Sequence, residues 1–382
     1  MRLLVLDTNA SWVRSLVAAL APSVQLVCLR VHQVEQYRAL VGDSAGGSFS
    51  WHSVDQRTLE RYVVVPGWTR FFRISSTIVE HVVRDAASRF GRPDAVLYTL
   101  PYYAAVAARF GVGASAYYAH DVFRYYGWDR QRTLRLEKEL MDQCGAVFAV
   151  AVALAEDFRR ETRRPVYHLP MAVSSSFLRQ VEPMPSDLRP IPRPIVGCTG
   201  QINRSYDWNL IEALSRAAPQ ASFVFIGPIF DEPNEIRRRI DQVLGRPNVH
   251  WLGPRPHESL PAYLASFDVC LNPLAVSDHA DRRSPLRLFD YMSTQSPIVS
   301  TAIREAFEHQ RHVEIGRSTE ECVRLVQEAL AGRIEVDPGM RRAYLEGHTW
   351  ERRAEYFLER MTALVRDARE GQPQDRGSER CT

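Results

Sequence analysis

Short apolar runs alternate with amphipathic helical patterns along this chain, and the alternation restarts after a proline-rich stretch. Such alternation builds parallel sheets, because a helical crossover returns each strand in the same direction. In the first half the strand candidates are 3–7, 24–30, 95–100, 114–119, 147–150 and 166–169. Helical patterns fill 12–20, 75–89, 103–110, 131–142 and 154–161. Val181–Pro194 then carries five prolines, continues neither element, and reads as a semi-rigid linker. Beyond it, strands are expected at 195–199, 223–226, 249–252, 269–272 and 298–300, with helices at 207–217, 260–266, 318–331 and 350–368. The expected fold class is α/β, with two Rossmann-like doubly wound domains facing a cleft. Residues 1–180 form the first domain, 181–194 the linker and 195–348 the second domain. A C-terminal helix over 349–369 packs back toward the first domain, and 370–382 is a disordered tail.

Composition narrows the function. A net charge of +3 over 382 residues is too small to argue for nucleic acid. The six cysteines are scattered without a Cys-x-x-Cys, which argues for reduced thiols and against a zinc site or a disulfide framework. The chain opens directly on a strand-like run, with no signal peptide and no apolar stretch long enough to cross a bilayer. A cytoplasmic protein is expected, its inner-membrane-face contact resting on one segment discussed below.

In doubly wound sheets, ligands sit beyond the carboxyl ends of strands. The loops after Thr199, Ile226, Leu252 and Asn272 are the places to look. The strongest signal is Ser284–Val299, read as a helix with Ser284 as N-cap and Pro285 at the first helical position. Arg287 then stands at the third position, where a cation opposes the helix dipole. A phosphate over the helix start removes the conflict, since free N–H groups and Arg287 converge on it. Asp290 shares a face with Arg287 and suits a sugar hydroxyl. A surface Arg–Asp pair on an ordinary capped helix explains the same residues. Gly200 follows a strand and lets backbone approach a ligand, with Gln201 and Arg204 as further donors. Gly253 and Arg255 stop a later strand, where backbone meets a base edge and Arg255 a phosphate. Each of these is also a normal turn. No metal-ligand cluster stands out.

Four blocks in order resemble the C-terminal half of GT-B fold glycosyltransferases, the broad group 1 (family 4-like) in a bacterial branch. They are Gly200-Gln201-Ile202 with Asp207-Trp208-Asn209-Leu210, Asn248 to Pro256, Leu260 to Val269, and Ser284-Pro285-Leu286-Arg287-Leu288-Phe289-Asp290-Tyr291. The resemblance implies a nucleoside-diphosphate-sugar donor on the second domain. It implies Asp290 on the ribose, Arg287 near the diphosphate, Gly200 beside the donor phosphates, and Gly253 to Arg255 around the base. It implies no cofactor and no metal ion, because basic groups stabilise the leaving diphosphate. The implied reaction is hexosyl transfer to the hydroxyl of a saccharide, lipid-linked or small-molecule acceptor. Polysaccharide, glycolipid or natural-product glycoside synthesis is the setting it implies. Several positions depart from the group: Gln201 and Tyr206 replace basic residues, and Arg282 replaces an acid.

The first half resembles the family less specifically and would bind the acceptor. His120-Asp121 follows a strand and precedes an aromatic loop. The pair is the candidate catalytic group, or else a capping Asp with a satisfied His. Asp121 is the general base if the sugar inverts. If it is retained, the pair positions the acceptor. Trp68–Arg73 interleaves aromatic and basic residues, fitting either a membrane surface or a partly buried helix start. A nucleotide-sugar epimerase of the same fold and a non-catalytic nucleotide-sugar-binding protein are the alternative functions.

Overall fold

A computed structural model describes residues 1–34, 49–110, 114–126, 128–179, 183–230 and 232–370. The expected tail lies outside these residues, apart from Glu370. The chain divides into two compact units, one of residues 1–170 with 351–382 and one of residues 171–350.

Among the described residues of the first unit, eight strands form one sheet. They are β1 (Arg2–Leu6), β2 (Gln25–Gln33), β3 (His52–Ser53), β4 (Thr58–Val65), β5 (Ala95–Tyr98), β6 (Ala114–Ala119), β7 (Ala146–Ala149) and β8 (Val166–His168), in the order β3-β4-β2-β1-β5-β6-β7-β8. Every pairing is parallel except β3 with β4. β5, β6 and β7 are buried at every position, the mark of strands covered on both faces. From Glu351 on, the helix Trp350–Glu370 belongs to this unit: Phe357 packs on Phe148 at 4.9 Å between ring centroids, and Arg369 bonds Asp94 at 2.6 Å.

The second unit has six described strands: β9 (Ile195–Thr199), β10 (Ser222–Ile226), β11 (Val249–Trp251), β12 (Val269–Asn272), β13 (Ile298–Thr301) and β14 (Glu314–Gly316), in the order β11-β10-β9-β12-β13-β14, all parallel. Asp207 caps the helix Trp208–Ala217 by accepting from the N–H groups of Asn209 and Leu210. Chain winding reverses between β9 and β12, so the loops at those strand ends flank the switch point where such sheets take ligands.

The proline-rich stretch, expected as a linker, behaves differently in its described part. The unit boundary falls ahead of it, at Pro170, and Leu188 is fully buried. Asp187 accepts from Arg255 Nη2 at 2.7 Å and from Tyr263 Oη at 2.9 Å. An apolar anchor and an ion pair dock the prolines on the second unit.

The first sheet has its own switch point at β1. The Asp7 N–H donates to Thr99 Oγ1 at 2.7 Å, and the Asp7 carboxylate accepts from the N–H groups of Asn9 (2.9 Å) and Val31 (3.3 Å). Asp7 thereby ties the ends of β1, β2 and β5 together. Burial pushes its pKa up from 3.8 to about 7, against the pull of those N–H donors. Between these values the folded state holds a proton that the unfolded chain has released. Stability therefore falls as pH rises from about 4 to about 7, at up to roughly 1.4 kcal/mol per pH unit. Urea titrations across that range will show the slope, and Asp7→Asn will flatten it. Equal slopes in both proteins would refute the assignment.

Candidate functional site

The second unit's site begins with strand ends. Gly200 and Gly227 close β9 and β10 with φ of 113° and 151°, which side chains rarely adopt. A Cβ on Gly227 would lie 1.9 Å from Gly200 O, so the two turns touch backbone to backbone. The Gly200 N–H donates to Ile226 O at 2.9 Å and the Gly227 N–H to Gly253 O at 3.0 Å. Three neighbouring strand ends are thus fastened side by side through main-chain groups.

Arg287 reaches this seam. A Cβ on Gly200 would sit 2.8 Å from Arg287 Nη2. The guanidinium lies 4.8 Å from the Tyr206 ring centroid, and Nη1 donates to Cys198 Sγ at 3.5 Å. Arg287 is half-buried, and no carboxylate among the described residues pairs with it. A partly desolvated cation on an aromatic face, with no ion-paired acid and only the longer-range pull of Asp290, is built to meet an anion.

One local expectation fails here. The helix is Leu286–Met292, and Pro285, with extended ψ of 112°, takes the cap position. Ser284 is not the cap. Its Oγ donates to Glu305 Oε1 at 2.7 Å and accepts the Met171 N–H at 3.4 Å. Arg287 is accordingly the second helical residue. In so short a helix, the guanidinium rather than the macrodipole carries the positive field.

Asp290 is 3% exposed, and its Oδ1 has no hydrogen-bond partner. Burial pushes its pKa up, opposed by His257, whose Nε2 stands 3.7 Å from Oδ2. Asp290 in turn holds the His257 pKa above its ordinary value against burial. A buried carboxylate oxygen with no partner is costly and needs a donor from outside the chain.

The remaining candidates divide. Gln201 is exposed at the Gly200 turn. Arg204 is spent on Glu232, Nε to Oε2 at 2.9 Å, with a largely exposed side chain. Arg255, expected at a phosphate, is held by Asp187 and by Tyr263 Oη at 3.0 Å. Gly253, with φ of 74°, leaves its backbone in the seam.

In the first unit His120 and Asp121 are both 7% exposed, at the end of β6. His120 Nδ1 accepts from Trp12 Nε1 at 2.9 Å, and burial pushes the ring's pKa down to about 4, against the pull of Asp121. Asp121 accepts from the Val122 N–H and from Tyr126 Oη, each at 2.7 Å, holding the start of the aromatic loop. The Trp68–Arg73 segment splits: Trp68 is buried, whereas Arg70, Phe71 and Arg73 are exposed. No helix among the described residues is long and apolar enough to cross a membrane. Among the same residues no three His, Cys, Asp or Glu side chains gather as a metal site would require.

Residues 204–359 match the model of the family described as glycosyl transferase-like. A stretch of 117 residues is 26% identical to the putative teichuronic acid biosynthesis glycosyltransferase TuaH of Bacillus subtilis, covering 31% of this chain and 29% of that relative's length. Among solved structures, sucrose-phosphate synthase from Thermosynechococcus elongatus superposes with a TM-score of 0.73 at 14% identity, over 96% of this chain and 99% of that one. Anabaena HepE in complex with UDP and glucose gives 0.71 at 14% identity, over 95% and 100%. The α,α-trehalose 6-phosphate synthase of Burkholderia multivorans gives 0.70 at 14%, over 96% and 99%. The chain has the GT-B glycosyltransferase fold.

Sequence reasoning missed the residues that support these candidates. Tyr206 and Cys198 hold Arg287, His257 faces Asp290, and Trp12 bonds His120. Tyr206 did carry a signal, as an aromatic where the resembling family has a basic residue.

Proposed function

We propose that this protein is a glycosyltransferase that moves a sugar from a nucleoside diphosphate to the hydroxyl of a saccharide acceptor. The observation that carries the reading is the pairing of two unmet needs. Arg287 forms no ion pair beside the Gly200 turn, and Asp290, three residues on, has a buried oxygen with no donor. A nucleoside diphosphate meets both, offering phosphate oxygens to Arg287 and a ribose hydroxyl to Asp290. Gly200 and Gly227 let main-chain groups approach the phosphates, and the backbone from Gly253 frames the base. Charge developing on the leaving diphosphate is met by Arg287 with no metal ion taking part. Ser284, through Glu305, fixes the start of the helix that carries Arg287 and Asp290.

The first unit takes the acceptor, with His120 and Asp121 as the groups that meet it. HepE was solved with UDP and glucose, and TuaH is named for teichuronic acid synthesis, which favours a UDP-hexose donor and an acceptor in polysaccharide assembly. The exposed Arg70, Phe71 and Arg73 suit contact with an anionic membrane surface on the cytoplasmic side.

A thermal-shift panel of nucleoside diphosphates and nucleotide sugars is the direct test. UDP and UDP-hexoses will raise the midpoint, and transfer will follow once a saccharide acceptor is supplied. Indifference to every nucleotide sugar would sink the proposal. So would epimerisation of the donor at a useful rate without acceptor.

A further inference from the structure

His120 is packed by rings on three sides: Phe123 with centroids 5.1 Å away, Trp12 at 5.8 Å and Tyr118 at 5.9 Å. One of these contacts is directional. The Trp12 indole N–H points at Nδ1 with a separation of 2.9 Å. An indole nitrogen donates and never accepts. Nδ1 must therefore present its lone pair, and the single proton of the neutral ring goes to Nε2. Protonating Nδ1 would set two N–H groups head to head, so this contact works against the imidazolium as burial does. The bond from Trp12 engages Nδ1 and leaves Nε2 outside it. Trp12 lies in the first turn of the helix Ser11–Leu20, 108 residues from its partner. Its nitrogen is the only polar atom it brings.

We propose that Trp12 is a positioning residue that holds His120 in the tautomer with its proton on Nε2, so that His120 donates a hydrogen bond to a sugar oxygen and does not serve as the general base. The inference rests on the glycosyltransferase reading only for what Nε2–H meets. The tautomer itself is independent of substrate. Proton removal from the acceptor hydroxyl then falls to another group, and Asp121 is the neighbouring candidate.

Two-bond ¹H–¹⁵N NMR on the ¹⁵N-histidine-labelled protein reads the tautomer directly, with His120 assigned by its loss in His120→Gln. The wild type will show the Nε2–H pattern, and Trp12→Phe, which keeps the ring and removes the donor, will show mixed tautomers. An Nδ1–H ring in the wild type overturns the proposal, and so does an unchanged pattern in Trp12→Phe. Kinetics supply a second arm. Trp12→Phe will lower kcat about tenfold with little change in KM, a fraction of what loss of a whole electrostatic donor costs. In the His120→Gln background, whose amide donates without tautomers, the same change will cost under about twofold. Equal losses in both backgrounds would make Trp12 merely structural and overturn the assignment. Should Trp12→Phe not fold, the wild-type spectrum alone decides. An Nε2–H ring in a protein that transfers no sugar would sink the glycosyltransferase reading and leave the tautomer assignment standing.

Discussion

Arg287→Ala will lower kcat/KM for sugar transfer by roughly 100- to 1,000-fold, the loss seen when a preorganised charge-stabilising donor is removed. It will also weaken nucleoside-diphosphate binding by about 1–3 kcal/mol, the range for a hydrogen bond to a charged group. The guanidinium is held over the Tyr206 ring and on Cys198 with no ion-paired carboxylate. Its position therefore costs no rearrangement when phosphate arrives. Arg287→Lys keeps the charge and loses the planar fork, so it will recover only part of the activity. Because Arg287 makes no ion pair, the alanine protein will still fold, losing only what the Tyr206 and Cys198 contacts contribute. Steady-state kinetics with calorimetry of UDP binding decide the matter. Unchanged affinity in Arg287→Ala would remove the diphosphate from this place.

Asp290→Asn will separate stability from function. The carboxylate is buried, its pKa is pushed up by that burial, and one oxygen has no partner. A carboxyl whose folded pKa exceeds its unfolded value destabilises the fold once pH passes the unfolded pKa, so at neutral pH Asp290 is a burden. Asparagine keeps the shape and drops the charge. The unliganded protein will melt higher, by an amount reduced by the lost attraction to His257. Nucleotide affinity will fall, because an amide NH₂ replaces part of the acceptor the ribose hydroxyl needs. Residues that raise stability when removed and lower binding at the same time are the signature of a site kept for its ligand. If Asp290→Asn melts lower and binds UDP normally, Asp290 is structural and the ribose lies elsewhere.

The parallel sheets were legible because strands covered on both faces write themselves as unbroken apolar runs. Ile195–Thr199 and Val269–Asn272 fall where the pattern puts them. β4 was not legible, since Glu60, Arg61 and Tyr62 interrupt it on their way to partners on β2 and the helix Phe72–Phe90. The helix Asn234–Leu244 was hidden by three consecutive arginines that mask the Ile240 and Val243 face. In the site, Arg287 and Asp290 stood out because their chemistry clashes with their local position. Ser284 misled for the converse reason: a serine before a proline fits a helix cap, and only a tertiary partner, Glu305, outbids that local fit. The supports Tyr206, His257 and Trp12 act across contacts that no short window contains.

The helix Trp350–Glu370 covers Phe148 and reaches Asp94 in a unit whose other residues end at Pro170. On the ribosome, that apolar surface waits uncovered while all of residues 171–350 are synthesised. The first unit can collapse early yet is completed last, and during translation the interval is a window for chaperone capture or aggregation. A nascent chain stalled before residue 350 will expose Phe148 and Tyr167, both of which the finished protein covers from that helix.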